Sequence, residues 1–339
     1  MRDMKKINKK HPLIRTRPFN RGQAPKEKIW KLNKTSLTYF PSYKKKFQTP
    51  ILFVYSIVNR PNILNLTPNS SVINGFTDHG YDVYLLDFGS PGLEDMDMSM
   101  DDYITHIQKA VLRCLHHANT TQLNVFGYCL GGTFAAIYTS LFPENVKNLV
   151  LFATPIDFET LPILNEWKEE WIKEDDDWLN TSIREVGIIP AKFIEDGMKL
   201  TFSPLSITPK LALFNNLQNE EYVEGWMELN KWLKGHVPMA GKTFLQMMNH
   251  WIKNNELIKN KFTVHGKKVK LNNIRCPLLV ITTKNDDLVP KEMTYPIMDA
   301  VSSIDKTYHI LKGGHISLAL KSEKPTEIIQ WLNKRSTKN

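Results

Sequence analysis

Cysteine is scarce in this chain. Three residues in 339 cannot form a paired disulfide framework, and they point to a reducing compartment. Long apolar runs are missing too. Nothing apolar follows Met1-Arg2-Asp3-Met4-Lys5-Lys6 to act as a signal peptide, and no stretch is long enough to cross a bilayer. A cytoplasmic protein without a transmembrane segment is expected. No histidine pair or Cys/His cluster has metal-ligand spacing, so neither a metal site nor a bound cofactor is expected. Zinc-finger spacing and helix-turn-helix patterning are absent as well, so no nucleic-acid partner is expected.

The net charge of +9 is unevenly spread. Residues 1–50 hold fifteen of the 44 basic residues and only Asp3 and Glu27 as acids, a surplus of +13, so the rest of the chain carries −4. The basicity belongs to an N-terminal arm, taken as residues 1–48. Lying upstream of the first core strand at Ile51, it reads as a solvated tail or as a docking element for an acidic partner or an anionic surface.

What is abundant is apolar sequence, 42% of the chain, enough for one large domain with an insertion. Ile51 to Ser56, Asp82 to Leu86, Leu123 to Phe126, Asn148 to Phe152 and Leu278 to Thr282 read as buried parallel strands, with helical segments between the first four. This is the pattern of a doubly wound α/β sheet. Roughly residues 156–270 interrupt it with charged, helix-prone sequence holding six of the eight tryptophans (Trp167, Trp171, Trp178, Trp226, Trp232 and Trp251). The expected organisation is a core of residues 49–155 and 271–339 with a helical cap inserted at 156–270. Some of those tryptophans are expected simply to pack the helices.

Gly127-Tyr128-Cys129-Leu130-Gly131-Gly132 follows the third strand and opens a helix beginning Thr133-Phe134-Ala135-Ala136. A nucleophile on such a strand-to-helix turn has a strained backbone, and Gly127 and Gly131 remove side chains that would clash there. The sulfur is expected to be exposed at a helix N-terminus, whose dipole favours a thiolate. Buried cysteine is also a common core residue; Cys114, on the apolar face of the helix Tyr103 to Ala118, and Cys276, before Pro277, read that way. A nucleophilic cysteine needs a base and a group to orient it, which an α/β-hydrolase chain supplies in the order nucleophile, acid, histidine. Asp286 and Asp287 follow the strand Leu278 to Thr282. His315, in Lys312-Gly313-Gly314-His315, follows the strand Thr307 to Leu311. His79, His116, His117, His236, His250, His265 and His309 lack that loop context and read as surface or packing residues.

Taken together, Val54-Tyr55-Ser56-Ile57-Val58-Asn59-Arg60-Pro61, Asp82 to Gly89, the Gly-x-Cys-x-Gly-Gly box, Ala153-Thr154-Pro155-Ile156-Asp157-Phe158, Asn272 to Pro277, Asp286 in its Asp-x-x-Val-Pro stretch and Gly314-His315 make the chain resemble the catalytic subunit of short, two-subunit polyhydroxyalkanoate synthases. The resemblance covers most of the chain after about residue 30. It implies an α/β-hydrolase fold and an acyltransferase that polymerises 3-hydroxyacyl-CoA, releasing CoA through a covalent acyl-enzyme on Cys129. His315 and Asp286 would complete the triad, and the backbone N–H groups of Leu130 and Val58 would hold the oxyanion. The implied partners are the growing polyester chain and a second, non-catalytic subunit or a homodimer, at the surface of polymer granules. Two positions depart from the family pattern. Asp287 stands where histidine usually follows the catalytic aspartate, and Phe88 stands where tryptophan is usual. A carboxylate at 287 would either raise the pKa of one of the acid pair or point into solvent. Two rival readings use the same residues: a cysteine-nucleophile thioesterase or polyester hydrolase that admits water, and a non-catalytic granule-associated homologue.

Overall fold

The computed structural model describes residues 26–160, 176–201, 218–320 and 325–339. Eight strands form one sheet: β1 (Glu27–Leu32), β2 (Thr35–Phe40), β3 (Ile51–Val54), β4 (Val83–Asp87), β5 (Leu123–Tyr128), β6 (Val146–Phe152), β7 (Leu278–Thr283) and β8 (Lys306–Leu311). Their order across the sheet is β1-β2-β4-β3-β5-β6-β7-β8. Only the pairings of β2 with β1 and with β4 are antiparallel; the other five are parallel.

Helices α1 (Val72–Thr77), α2 (Met100–Ala118) and α3 (Leu130–Leu141) connect the central strands. Between β6 and β7 lie α4 (Asp176–Val186), α5 (Ala191–Thr201), α6 (Glu220–Leu233) and α7 (Gly241–Gln246), the last running into a π-helical turn at Met247–Lys253. Helix α8 (Thr326–Asn333) follows β8. Successive strand residues point to opposite faces, and both faces are apolar. Leu52, Val54, Val125, Leu149, Leu151 and Val280 pack with α2 and α3. Ile51, Phe53, Phe126, Val150, Phe152 and Ile281 pack with α1 and α8. Two cores divided by one sheet are the physical content of double winding.

The α/β sheet and its five parallel core strands agree with the sequence reading. The arm is corrected in part, because Glu27–Phe40 forms two strands of the central sheet instead of lying outside it. Thr35, Ser36, Leu37 and Phe40 are buried, while Lys28 and Lys31 remain exposed on the outermost strand. Asn33 takes the left-handed conformation (φ 50°) in the tight turn between them, which asparagine tolerates well. Lysines on an edge strand also discourage pairing with another chain, so the same charge that reads as a tail serves the sheet. Eight of the arm's fifteen basic residues, in residues 1–25, lie outside the described residues, as do Trp167 and Trp171. Trp251 is fully buried against Phe134 and Phe158, with ring centroids 5.4 and 5.5 Å away. Its role is packing.

Candidate active site

Cys129 stands between β5 and α3 with φ 54° and ψ −133°. A non-glycine residue held there costs roughly 1–3 kcal/mol. The helix it opens offsets this: Phe134 and Ile137 are fully buried, and each contributes about 1.5–3 kcal/mol. The turn leaves no room for side chains around it. A Cβ on Gly127 would meet Gly132 Cα at 2.4 Å, one on Gly131 would meet the Val54 carbonyl oxygen at 2.3 Å, and one on Gly132 would meet Thr154 Oγ1 at 1.9 Å. Gly132, which the elbow argument did not single out, is thus the most tightly confined of the three.

The expectation of an exposed sulfur is corrected. Cys129 retains 7% of its surface and belongs to the same apolar cluster as Tyr55, Tyr128 and Trp232. A sulfur screened in this way sits in a medium where charges interact strongly.

Asp286 and His315 arrive from the loops after neighbouring strands β7 and β8. Asp286, buried in the loop after β7, accepts hydrogen bonds at Oδ1 from the N–H groups of Leu288 (3.1 Å) and Val289 (2.8 Å), and at Oδ2 from His315 Nδ1 (2.9 Å). The two loops are stitched together by Lys284 N–H to the Leu311 carbonyl and Asn285 N–H to the Gly313 carbonyl, both 2.9 Å. Gly313 has φ +117°, a conformation that favours glycine. Gly314 donates its N–H to Ser317 Oγ at 2.7 Å. The imidazole of His315 is hydrogen-bonded to Asp286 and lies close enough to Cys129 to feel its charge. Burial alone would push its pKa down, yet the charges of Cys129 and Asp286 and the hydrogen bond to Asp286 outweigh burial and raise it to about 10.

Sequence reasoning missed one support of the base. Tyr128, the residue before the nucleophile, donates its hydroxyl hydrogen to the His315 carbonyl at 2.6 Å. Its ring meets the imidazole edge-on, centroids 5.9 Å apart. Leu130 is the first residue of α3, so its N–H has no acceptor within the helix. Val58 lies in the loop after β3, its N–H 3.5 Å from Ser56 Oγ. That loop is pressed on the elbow, since the hypothetical Cβ of Gly131 lies 2.5 Å from the Tyr55 carbonyl oxygen.

The two departures from the family pattern fall in different places. Phe88 is buried and packs edge-on against Tyr103, centroids 5.0 Å apart; it fills core and does not join the triad. Asp287 is exposed, which decides between the two readings of the acid pair in favour of solvent. Of the other histidines, His79 bonds the Gly75 carbonyl, His250 bonds Glu256 and His265 bonds Thr105. Among the described residues no group of three or more His, Cys, Asp or Glu is placed to hold a metal ion.

Cys129 should be alkylated by iodoacetamide well before the other thiols. Cys276 is more exposed, but burial of its sulfur pushes the thiol up to about 12, and burial also holds the thiol of fully buried Cys114 well above its ordinary value. Cys129 has the base beside it. Peptide mapping after brief labelling checks this, and equal labelling of all three would overturn it.

A family described as alpha/beta hydrolase fold matches residues 49–322. The poly(3-hydroxyalkanoate) polymerase subunit PhaC of Haloferax mediterranei is 33% identical over 326 residues, covering 93% of this chain and 65% of the relative. That of Thiocystis violacea is 30% identical, covering 96% of this chain and 92% of the relative. Among solved structures, the monoacylglycerol lipase of Paleococcus ferrophilus superposes with a TM-score of 0.53 at 17% identity, over 87% of this chain and 99% of the lipase, a likeness of fold alone. With the elbow, the sheet order and the relatives agreeing, the chain belongs to the poly(3-hydroxyalkanoate) polymerase subunit PhaC family, within the alpha/beta hydrolase fold.

Proposed function

We propose that this protein polymerises 3-hydroxyacyl-CoA into poly(3-hydroxyalkanoate) through a covalent acyl-enzyme on Cys129. The observation that carries the reading is a cysteine, in place of a serine, on the elbow beside the hydrogen-bonded His315–Asp286 pair. The Cys129 thiolate attacks the thioester carbonyl, the carbon–sulfur bond to CoA breaks, and CoA departs as a thiol with a proton from His315. One thioester replaces another at nearly equal free energy, so the acyl group stays activated. His315, oriented by Asp286, then takes the proton of a 3-hydroxyl, whose oxygen attacks the acyl carbon; the acyl carbon–sulfur bond breaks and Cys129 leaves as the thiolate. The oxyanion of each step is held by the N–H of Leu130 and by Val58 in the loop after β3. Shielding of the sulfur supports transfer to an alcohol over transfer to water.

CoA thioester enters as substrate, with no resident cofactor. Among the described residues no helix is long and apolar enough to cross a membrane, which is compatible with work at a granule surface. The relatives' designation as a subunit supports a second, non-catalytic chain as partner.

Supplying 3-hydroxybutyryl-CoA to the purified protein, with and without a candidate second subunit, should release CoA in step with solvent-extractable polyester. Free 3-hydroxybutyrate equal to the CoA released would make the protein a hydrolase, and no CoA release in either mixture would make it a non-catalytic homologue.

A further inference from the structure

The insertion between β6 and β7 reaches back to the one loop that the oxyanion contact depends on. At the end of α6, Trp232 donates its indole N–H to the Arg60 carbonyl at 2.8 Å. Asn59 donates its side-chain amide to the Trp232 carbonyl at 3.3 Å and accepts the Arg60 N–H at 2.7 Å. Val237 donates its N–H to the Val58 carbonyl at 3.2 Å, and Asn59 pairs with His236 in an antiparallel bridge. Both Asn59 and Trp232 are buried, so the bond between them is shielded from competing water.

Residues 58–60 are therefore held from two sides. The elbow presses on the start of the loop through Gly131, and the strap Trp232–Val237 ties its far end. The peptide between Ile57 and Val58, whose N–H is the candidate oxyanion donor, hangs between these attachments. Its present contact, Ser56 Oγ at 3.5 Å, is too long to fix it.

We propose that Trp232 and Asn59 are positioning residues that set the Val58 N–H for acyl transfer, so that the inserted helices govern the oxyanion contact through the strap. The proposal rests on the triad reading above but not on the identity of the natural acyl donor. Oxyanion stabilisation is required whenever a carbonyl is attacked, whereas alkylation of the same sulfur by iodoacetamide displaces iodide at a saturated carbon and creates no oxyanion. The ratio of acylation to alkylation therefore reads the loop separately from the nucleophile.

The test uses the full chain with Trp232→Phe, which keeps the ring and removes the donor to Arg60, and Asn59→Asp, which keeps the acceptor for Arg60 and removes the donor to Trp232. Acylation of Cys129 by p-nitrophenyl acetate transfers acetyl to sulfur and expels p-nitrophenolate, read as a burst of absorbance and a mass increase. Its maximal rate should fall roughly tenfold to a hundredfold, part of the 10²–10³ expected for losing an oxyanion donor outright. Half-saturation by ester and alkylation by iodoacetamide should stay within about twofold. Unchanged acylation in either folded variant, or acylation and alkylation falling together, would overturn the proposal. Should one variant fail to fold by circular dichroism, the other decides alone. Because the ester probe needs no polymer, a protein that hydrolyses 3-hydroxybutyryl-CoA would refute the polymerase reading and leave the strap test standing.

Discussion

Asp286→Asn should lower turnover by about four orders of magnitude, the loss seen when the acid of a nucleophile–histidine–acid triad is made an amide. The acceptor Oδ2 holds the proton of His315 on Nδ1, which leaves the other ring nitrogen free to face Cys129. An amide in its place turns a donor towards Nδ1 and selects the wrong tautomer. Oδ1 would still accept the N–H groups of Leu288 and Val289, so the loop should survive and circular dichroism should be unchanged. Asp287→Asn should stay within a few-fold of the parent, because that carboxylate is exposed. CoA release from 3-hydroxybutyryl-CoA ranks the two, and the reverse order would move the triad by one residue.

Cys129→Ser should be at least as damaging, with polymer formation falling about 10⁴-fold or more. Two physical losses combine. Serine's hydroxyl is a far weaker acid, so His315 cannot draw its proton as readily, and the acyl-enzyme becomes an oxygen ester with no activation left for the next transfer. The same substitution has a spectroscopic signature. Cys129 is the largest influence raising the His315 pKa from its buried, lowered position, so the imidazole of the serine variant should titrate at lower pH by NMR. An unchanged titration would mean that sulfur and imidazole are not in contact, whatever happens to activity.

The five core strands were legible because a parallel strand buried on both faces is written as an unbroken apolar run, as in Ile51–Val54 and Leu278–Thr283. β1 and β2 were not. Their lysines belong to a strongly basic stretch, and charge density hid a hairpin whose buried residues are Thr35, Ser36, Leu37 and Phe40, a short and half-polar set. The turns that carry Cys129 and His315 were legible because each needs particular neighbours, visible as glycine on both sides of Cys129 and just before His315. The bond from Tyr128 to the His315 carbonyl joins residues 187 apart, and the tie from Trp232 to Arg60 joins residues 172 apart. Nothing local marks either pair. A tyrosine inside the box reads as filler, and a tryptophan at the end of a helix reads as packing, until the fold brings the partners together.

The confinement of Gly127, Gly131 and Gly132 also bears on how this catalyst can be diversified. At each, a single added carbon would overlap a neighbour at 2.4 Å or less, and that neighbour is backbone or a fully buried threonine that cannot swing aside. Half of the six-residue box is thus closed to exploration by mutation, and libraries placed there would return mainly misfolded protein. Changes in the accepted acyl group would have to be sought outside this turn, at positions where an added carbon meets no fixed neighbour. Selection for a new monomer would then act on surfaces that can drift while the turn at Cys129 stays frozen.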